Sequence, residues 1–149
     1  MKLTEFIIKA KKNTYASDGE GGEKSLGDNS KEFLFKNKSF LYRDRYFNSK
    51  GKFIGEEIVF KSKKPIWGMN YYGKILVNSI SNKKVYSFLK KAILKVEKDR
   101  PFRGPRKFLE GNFLYFDKSI GTYENFYGKE EIYLNRKKIY ELKYHGGIL

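Results

Sequence analysis

The feature that most constrains this chain is an internal repeat. The segment WGMNYYG, at residues 67–73, returns near the end of the chain as YELKYHG, at residues 140–146. A gapless comparison at an offset of 73 residues, between residues 39–76 and 112–149, gives 13 identities in 38 positions. Neither copy can cover its own apolar face, so the two are expected to pack together. The sequence therefore predicts one domain, 1–149, made of two repeats, 1–76 and 77–149.

Each repeat is predicted to contain one helix followed by four strands. Apolar residues recur at helical spacing over residues 3–13, where Thr4 is the expected N-cap, and over 85–96, where Pro101 ends the helix near Asp99. Alternating segments separated by polar turns predict strands at 32–36, 39–47, 53–61 and 65–72. We therefore expect an α+β fold with pseudo-two-fold symmetry, in which the helices pack on antiparallel sheet.

Residues 17–30 have the composition of a loop, with four glycines among Ser, Asp and Asn. Glu23 stands where a phosphate-binding loop needs a glycine before its Lys-Ser pair, and the Gly19-x-Gly21 pair lacks the third glycine of a dinucleotide fingerprint. A flexible loop, or a lid over a site, is the interpretation we favour.

The residue counts exclude several kinds of site. The 149 residues include no cysteine and one histidine, His145, so disulfides, thiol-ligated metals and multi-histidine metal sites are excluded. His145 is expected on the polar face of the last strand. The apolar run at residues 6–8 is too short for a signal peptide, and no segment could span a bilayer. We expect a cytoplasmic protein without a cofactor or a membrane association.

The chain is strongly basic, with a formal net charge of +15. Residues 83–107 hold ten basic and two acidic side chains, which indicates either a solvated helix face or a surface for nucleic acid. The solvated face is the interpretation we favour. The residues expected to contact nucleic acid under the alternative are Lys84, Lys91, Lys95, Lys98, Arg103 and Arg106.

Acids and tyrosines recur on one face of the predicted strands in both repeats. Strand residues two apart share a face, which places the following residues together: Tyr42, Asp44, Glu57, Tyr71, Tyr115, Asp117, Glu130 and Tyr144. A carboxylate among apolar neighbours must be paired, hydrogen-bonded or protonated. These acids either stabilise the core through tyrosine hydroxyls or line a ligand cleft, which would suit a cationic or polyhydroxylated molecule. Paired carboxylates also allow a hydrolase.

The motifs WGMNYYG, PFRGP and YHGG, with the Gly-rich loop after Tyr15, resemble an uncharacterised bacterial family, domain of unknown function 5680. The resemblance covers nearly the whole chain. It implies a small protein that stands alone or is fused to a helix-turn-helix of the Xre type, with a sensor or interaction role. It implies no catalytic residue.

The sequence predicts a non-enzymatic domain that binds a small molecule or a peptide, in a monomer or a homodimer. Nucleic-acid binding through residues 83–107 is the first alternative. A hydrolase that uses the paired carboxylates is the second.

Overall fold

The computed structural model describes residues 1–17 and 22–149, and its strands form one antiparallel sheet. The helices are α1 (Leu3–Asn13) and α2 (Asn82–Ile93). The strands are β1 (Lys24–Ser25), β2 (Lys31–Asn37), β3 (Phe40–Ser49), β4 (Lys52–Lys61), β5 (Lys64–Ile75), β6 (Lys107–Glu110), β7 (Phe113–Thr122), β8 (Asn125–Leu134) and β9 (Lys137–Ile148). Across the sheet the order is β1-β2-β3-β4-β5-β9-β8-β7-β6.

The α+β class predicted from the sequence is wrong. Within residues 1–17 and 22–149, most of the structure is a nine-stranded antiparallel sheet, and the two helices are short, with 11 and 12 residues. The class was wrong because both helical patterns and strand patterns are clear in the sequence, but the strands contain far more residues than the two helices. The two sets of four strands form a single continuous sheet, because β5 and β9 pair with each other.

Strands β2–β9 are arranged symmetrically about the pair β5 and β9, and β1 adds one strand at one edge. Tyr71 of β5 lies opposite Tyr144 of β9, and the flanking pairs are Met69 with Gly146 and Gly73 with Leu142. Adding the offset of 73 residues to one flanking pair gives the other. The register between β5 and β9 thus matches the 73-residue offset of the sequence repeat. The duplication itself stays a prediction from the sequence.

The helix starts and the turns follow local chemistry. The helix α1 begins at Leu3, so the N-cap expected at Thr4 is wrong, and Glu5 accepts a hydrogen bond from the Lys2 backbone N–H at 2.9 Å. Ser81 caps α2 by accepting from the Lys84 N–H at 3.3 Å. The hairpin turn at residues 62–63 has positive φ at both positions, as the twist of antiparallel strands favours.

Both helices and the connector of residues 97–106 cover one face of the sheet. Phe6 of α1 lies 5.0 Å from the ring of Phe40, and Phe88 of α2 lies 4.9 Å from that of Phe113. Phe102 of the connector stacks on Phe126 at 4.0 Å. The opposite side of the sheet, which we call the open face, carries no helix among the described residues.

No helix in the described part of the chain is long and apolar enough to cross a bilayer. The predicted loop of residues 17–30 can be followed only in part, because residues 18–21 lie outside the described residues. Its later part contains β1 and a turn in which Asp28 accepts from the Ser30 N–H at 3.0 Å.

Candidate functional site

The four acids predicted to share a face do lie together on the covered face, as two cross-strand pairs. Asp44 lies opposite Glu57, and Asp117 lies opposite Glu130. All four are at most 4% exposed. Two carboxylates directly opposite each other repel, so each pair needs donors or cations to remain buried.

Tyr71 reaches Asp44 from two strands away because a glycine lies between them. Its hydroxyl donates to Oδ1 of Asp44 at 2.5 Å. The ring passes over Gly55 of β4, where an added Cβ would lie 2.5 Å from the Tyr71 hydroxyl oxygen. Tyr144 reaches Asp117 in the same way, at 2.7 Å. Gly55 and Gly128 occupy equivalent positions in the two repeats, and any larger residue at either position would collide with the tyrosine that crosses it.

Glu57 is bound by Lys11, a cation that the sequence interpretation missed. The Lys11 ammonium on α1 forms a buried ion pair with Glu57 Oε2, and both side chains are at most 3% exposed. A signal was present, because Lys11 follows Ile7 by four residues and so lies on the apolar stripe of α1. A charged residue on such a stripe needs a buried partner of opposite charge.

Glu130 has a full set of donors. Arg103 of the connector donates through Nη2 to Oε1 at 2.8 Å and through Nε to Oε2 at 3.1 Å. Tyr140 donates to Oε1 at 2.7 Å, and Tyr115 donates to Oε2 at 2.5 Å. Such an arrangement satisfies both carboxylate oxygens and fixes the connector against β8.

Asp117 is neutralised from the connector as well. Nη2 of Arg100 lies 3.3 Å from Asp117 Oδ2, and the same nitrogen donates to the Asp117 backbone carbonyl at 3.1 Å. Arg100 also donates through Nε to the Ser119 hydroxyl at 2.9 Å. Asp117 thus forms an ion pair with Arg100. Asp44 instead accepts a hydrogen bond from the neutral Tyr71 hydroxyl.

Burial and the facing glutamates change how the aspartates titrate. Burial, followed by repulsion from Glu57, raises the pKa of Asp44 to about 7. Burial and repulsion from Glu130 raise the pKa of Asp117 to about 7 as well. Both aspartates therefore change protonation state near neutral pH.

A pocket of about 150 Å³ lies between the sheet, α2, the connector and the segment that follows α1, and we call it the helix-side pocket. Asp44 and Tyr71, two of the predicted site residues, line it together with Arg103. The other lining residues are Tyr15, Glu23, Phe33, Tyr46, Asn48, Phe53, Tyr86 and Lys90. Two cations of the pocket lie over aromatic rings. Arg103 lies 5.6 Å from the centre of the Tyr71 ring, and Lys90 lies 5.6 Å from the centre of the Tyr15 ring.

The acids of the two repeats are far apart. Glu57 on β4 and Glu130 on β8 are separated by β5 and β9, which is three strand spacings or roughly 14 Å. Asp44 and Asp117 are five spacings apart, or roughly 24 Å. A hydrolase centre that joins acids from both repeats therefore has no support in the geometry.

The residues predicted for nucleic acid in segment 83–107 do not form one free basic surface. Arg103 is buried on Glu130, Arg106 is ion-paired with Glu97 and Asp99, and Lys91 donates to Glu110 at 2.5 Å. Lys84, Lys95 and Lys98 are exposed.

The open face is basic and aromatic. On β2–β9 its basic residues are Lys36, Arg43, Arg45, Lys52, Lys74, Lys107, Lys118, Lys129, Lys138 and Lys143. Its acidic residues on the same strands are Glu32, Glu56, Glu131 and Glu141. A groove of about 760 Å³ lies at its centre and includes His145, which is exposed on this face as predicted.

Comparisons with known proteins identify a family but no described activity. The described residues contain no group of three or more His, Cys, Asp or Glu that could hold a metal ion. No curated protein and no solved structure matches the chain. A family model described as a domain of unknown function (DUF5680) matches residues 44–149, which include all four acids, Arg103 and most of the sheet. The chain belongs to this family.

Proposed function

We propose that this protein is a non-enzymatic binding domain that holds a small hydroxylated amine in the helix-side pocket. The observation that carries the proposal is the position of Asp44. Its carboxyl group is buried and lines the pocket. Among the described residues, the Tyr71 hydroxyl donates a hydrogen bond to it. Glu57, Glu130 and Asp117 each form an ion pair with a lysine or an arginine, whereas the described residues form no ion pair with Asp44, although Lys11 and Arg103 are close enough to lower its pKa.

The rings of the pocket support a cationic ligand. Six of its lining side chains are Phe or Tyr, and cations are attracted to the faces of aromatic rings. Lys90 and Arg103 already lie over two of these rings. An ammonium group beside Asp44 would combine an ionic hydrogen bond with ring contacts, and Asn48 offers a donor and an acceptor for hydroxyl groups.

The size of the pocket supports a small molecule over a peptide. A cavity of about 150 Å³ has room for a six-membered ring, since an engineered cavity of that volume in another protein binds benzene. A peptide would need a longer groove. Neither nucleic-acid binding through residues 83–107 nor a hydrolase centre has comparable support in the described residues.

A thermal-shift panel of matched pairs tests the proposal. Glucosamine is compared with glucose, and ethanolamine with ethylene glycol, so that each pair differs in its amino group. At ten times the dissociation constant a ligand stabilises the fold by about 1.4 kcal/mol, which is a rise of roughly 3–6 °C for a chain of this length. We expect the shift from the amines and not from their partners.

Two aspartate variants provide the matched control. Asp44→Asn keeps the hydrogen bond from Tyr71 but removes the charge, so it should fold and lose the amine response. Asp117→Asn makes the same change in the second repeat, away from the pocket, and should respond like the parent. Equal responses in both variants, or no amine response in the parent, would refute the proposal.

A further inference from the structure

A row of side chains crosses the open face and forms a second candidate binding surface. The strand registers place Phe47, Ile54, Tyr72, Lys143, Lys129 and Lys118 in line, one residue on each of six neighbouring strands. The first three are apolar or aromatic and the last three are lysines. We propose that this row binds single-stranded nucleic acid, with bases against the rings and phosphates on the lysines.

The lysine half of the row is a site for an anion. Lys118 lies directly opposite Lys129, and Lys129 lies directly opposite Lys143. Like charges in this position repel each other, and neighbouring strands are only about 4.8 Å apart. The central lysine, Lys129, forms ion pairs with Glu131 at 3.6 Å and Glu141 at 3.9 Å, whereas Lys118 and Lys143 form no ion pair among the described residues. A chain of phosphates would neutralise the whole row.

The other half of the row offers exposed rings for stacking. Tyr72 is 45% exposed and Phe47 is 47% exposed, and both line the central groove. Tyr127, which is 58% exposed, lies in the adjacent row opposite His145. Bases stack on such rings when they are unpaired, whereas a duplex keeps its bases stacked on one another. The surface therefore fits a single strand better than a duplex.

Charge excludes a second copy of this chain as the preferred occupant. The open face has six more basic than acidic residues on β2–β9, and the whole chain has a net charge of +15. Two copies meeting through this face would bring like charges together. A polyanion has the complementary charge.

Fluorescence anisotropy with labelled single-stranded oligonucleotides tests the proposal on the full-length chain. Three variants are compared with the parent: Tyr72→Ala with Tyr127→Ala, Lys118→Glu with Lys143→Glu, and an α2 control, in which Lys84→Glu lies on α2 and Lys95→Glu lies two residues after its end. We expect the first two to weaken binding at least tenfold and the control to change it less than twofold. Binding of phosphates to the three lysines of the row should weaken by about 20-fold between 50 and 200 mM salt.

Several results would overturn the proposal. These are the absence of binding at 50 mM salt, a duplex bound as tightly as a single strand, and a larger loss in the α2 control than in the open-face variants. Heparin and vesicles of anionic lipid distinguish base recognition from charge alone. If the tyrosine variant loses affinity for them as strongly as for the oligonucleotide, the surface recognises anions in general and stacking has no part.

Discussion

Removing the guanidinium of Arg103 should destabilise this fold far more than removing that of Arg106, three residues away. Arg103 is 5% exposed and forms two hydrogen bonds with Glu130, whose other donors are Tyr115 and Tyr140. Arg103→Met would leave the carboxylate buried with two neutral donors and without its bidentate arginine. Arg106 is an exposed residue whose ion pairs with Glu97 and Asp99 are in contact with solvent.

The expected loss follows from the burial of the pair. Breaking a buried ion pair by removing one partner costs about 3–5 kcal/mol, because an uncompensated charge remains. For a chain of about 150 residues this is a fall in Tm of roughly 6–20 °C. Arg106→Met should change the Tm by little more than the error of measurement, since exposed pairs contribute little.

Urea unfolding followed by tryptophan fluorescence gives the free energies directly. Trp67 is the single tryptophan and is fully buried, so its emission reports loss of the core. Glu130→Gln and the double variant with Arg103→Met complete a thermodynamic cycle. The double variant should lose about 2 kcal/mol less than the sum of the single variants, as expected for residues in direct contact.

Two results would refute this reasoning about the buried network. One is a loss below about 1 kcal/mol for Arg103→Met, which would mean that Glu130 does not need the arginine. The other is a double variant whose loss equals the sum of the single losses, which would mean that the two side chains are not coupled.

Three further changes test other parts of the structure. Gly55→Ala should destabilise the fold by about 2 kcal/mol or more, because a Cβ would lie 2.5 Å from the Tyr71 hydroxyl oxygen, whereas Gly27→Ala has open space and should be neutral by urea unfolding. Phe102→Ala removes a buried ring from the connector and should cost about 3–5 kcal/mol in the same assay, and an unchanged free energy of unfolding would argue against a packed connector. Because the pKa of Asp44 is raised to about 7, the folded state keeps a proton that the unfolded chain releases between about pH 4 and pH 7. The stability that this protonated carboxyl contributes is therefore lost as the pH rises through 7. The difference in unfolding free energy between the parent and Asp44→Asn should therefore change between pH 5 and pH 8, and a constant difference would contradict the raised pKa.

The positions of the longer strands were predictable because apolar and polar residues alternate along much of their length and polar turns separate them. The predicted strand at residues 53–61 is observed at Lys52–Lys61, and that at 32–36 is observed at Lys31–Asn37. The class was not predictable in the same way. Amphipathic periodicity indicates that a helix exists but not how much of a sheet it covers, and the two short helices here leave an entire face open.

The site was predictable on the strands and not on the segments that cover them. Alternation was sufficient to place Asp44 and Glu57 on one face with Tyr71. The cations come from elsewhere, since Lys11 lies on a helix and Arg103 on an irregular connector. The sequence pattern does not indicate which residue of an irregular connector points towards the sheet. Arg103 was therefore predicted, from its charge, to contact nucleic acid at the surface, whereas it is buried in the structure.

The central claim is that an ionised Asp44 holds an ammonium group in the helix-side pocket. A calorimetric titration of ethanolamine, which stays protonated over this range, at pH 6 and at pH 8 tests it most directly. Because the pKa of Asp44 is raised to about 7, its ionised fraction increases by about tenfold between these values, and the affinity should increase by about the same factor. The same affinity at both pH values, or an Asp44→Asn variant that binds as well as the parent, would contradict the account.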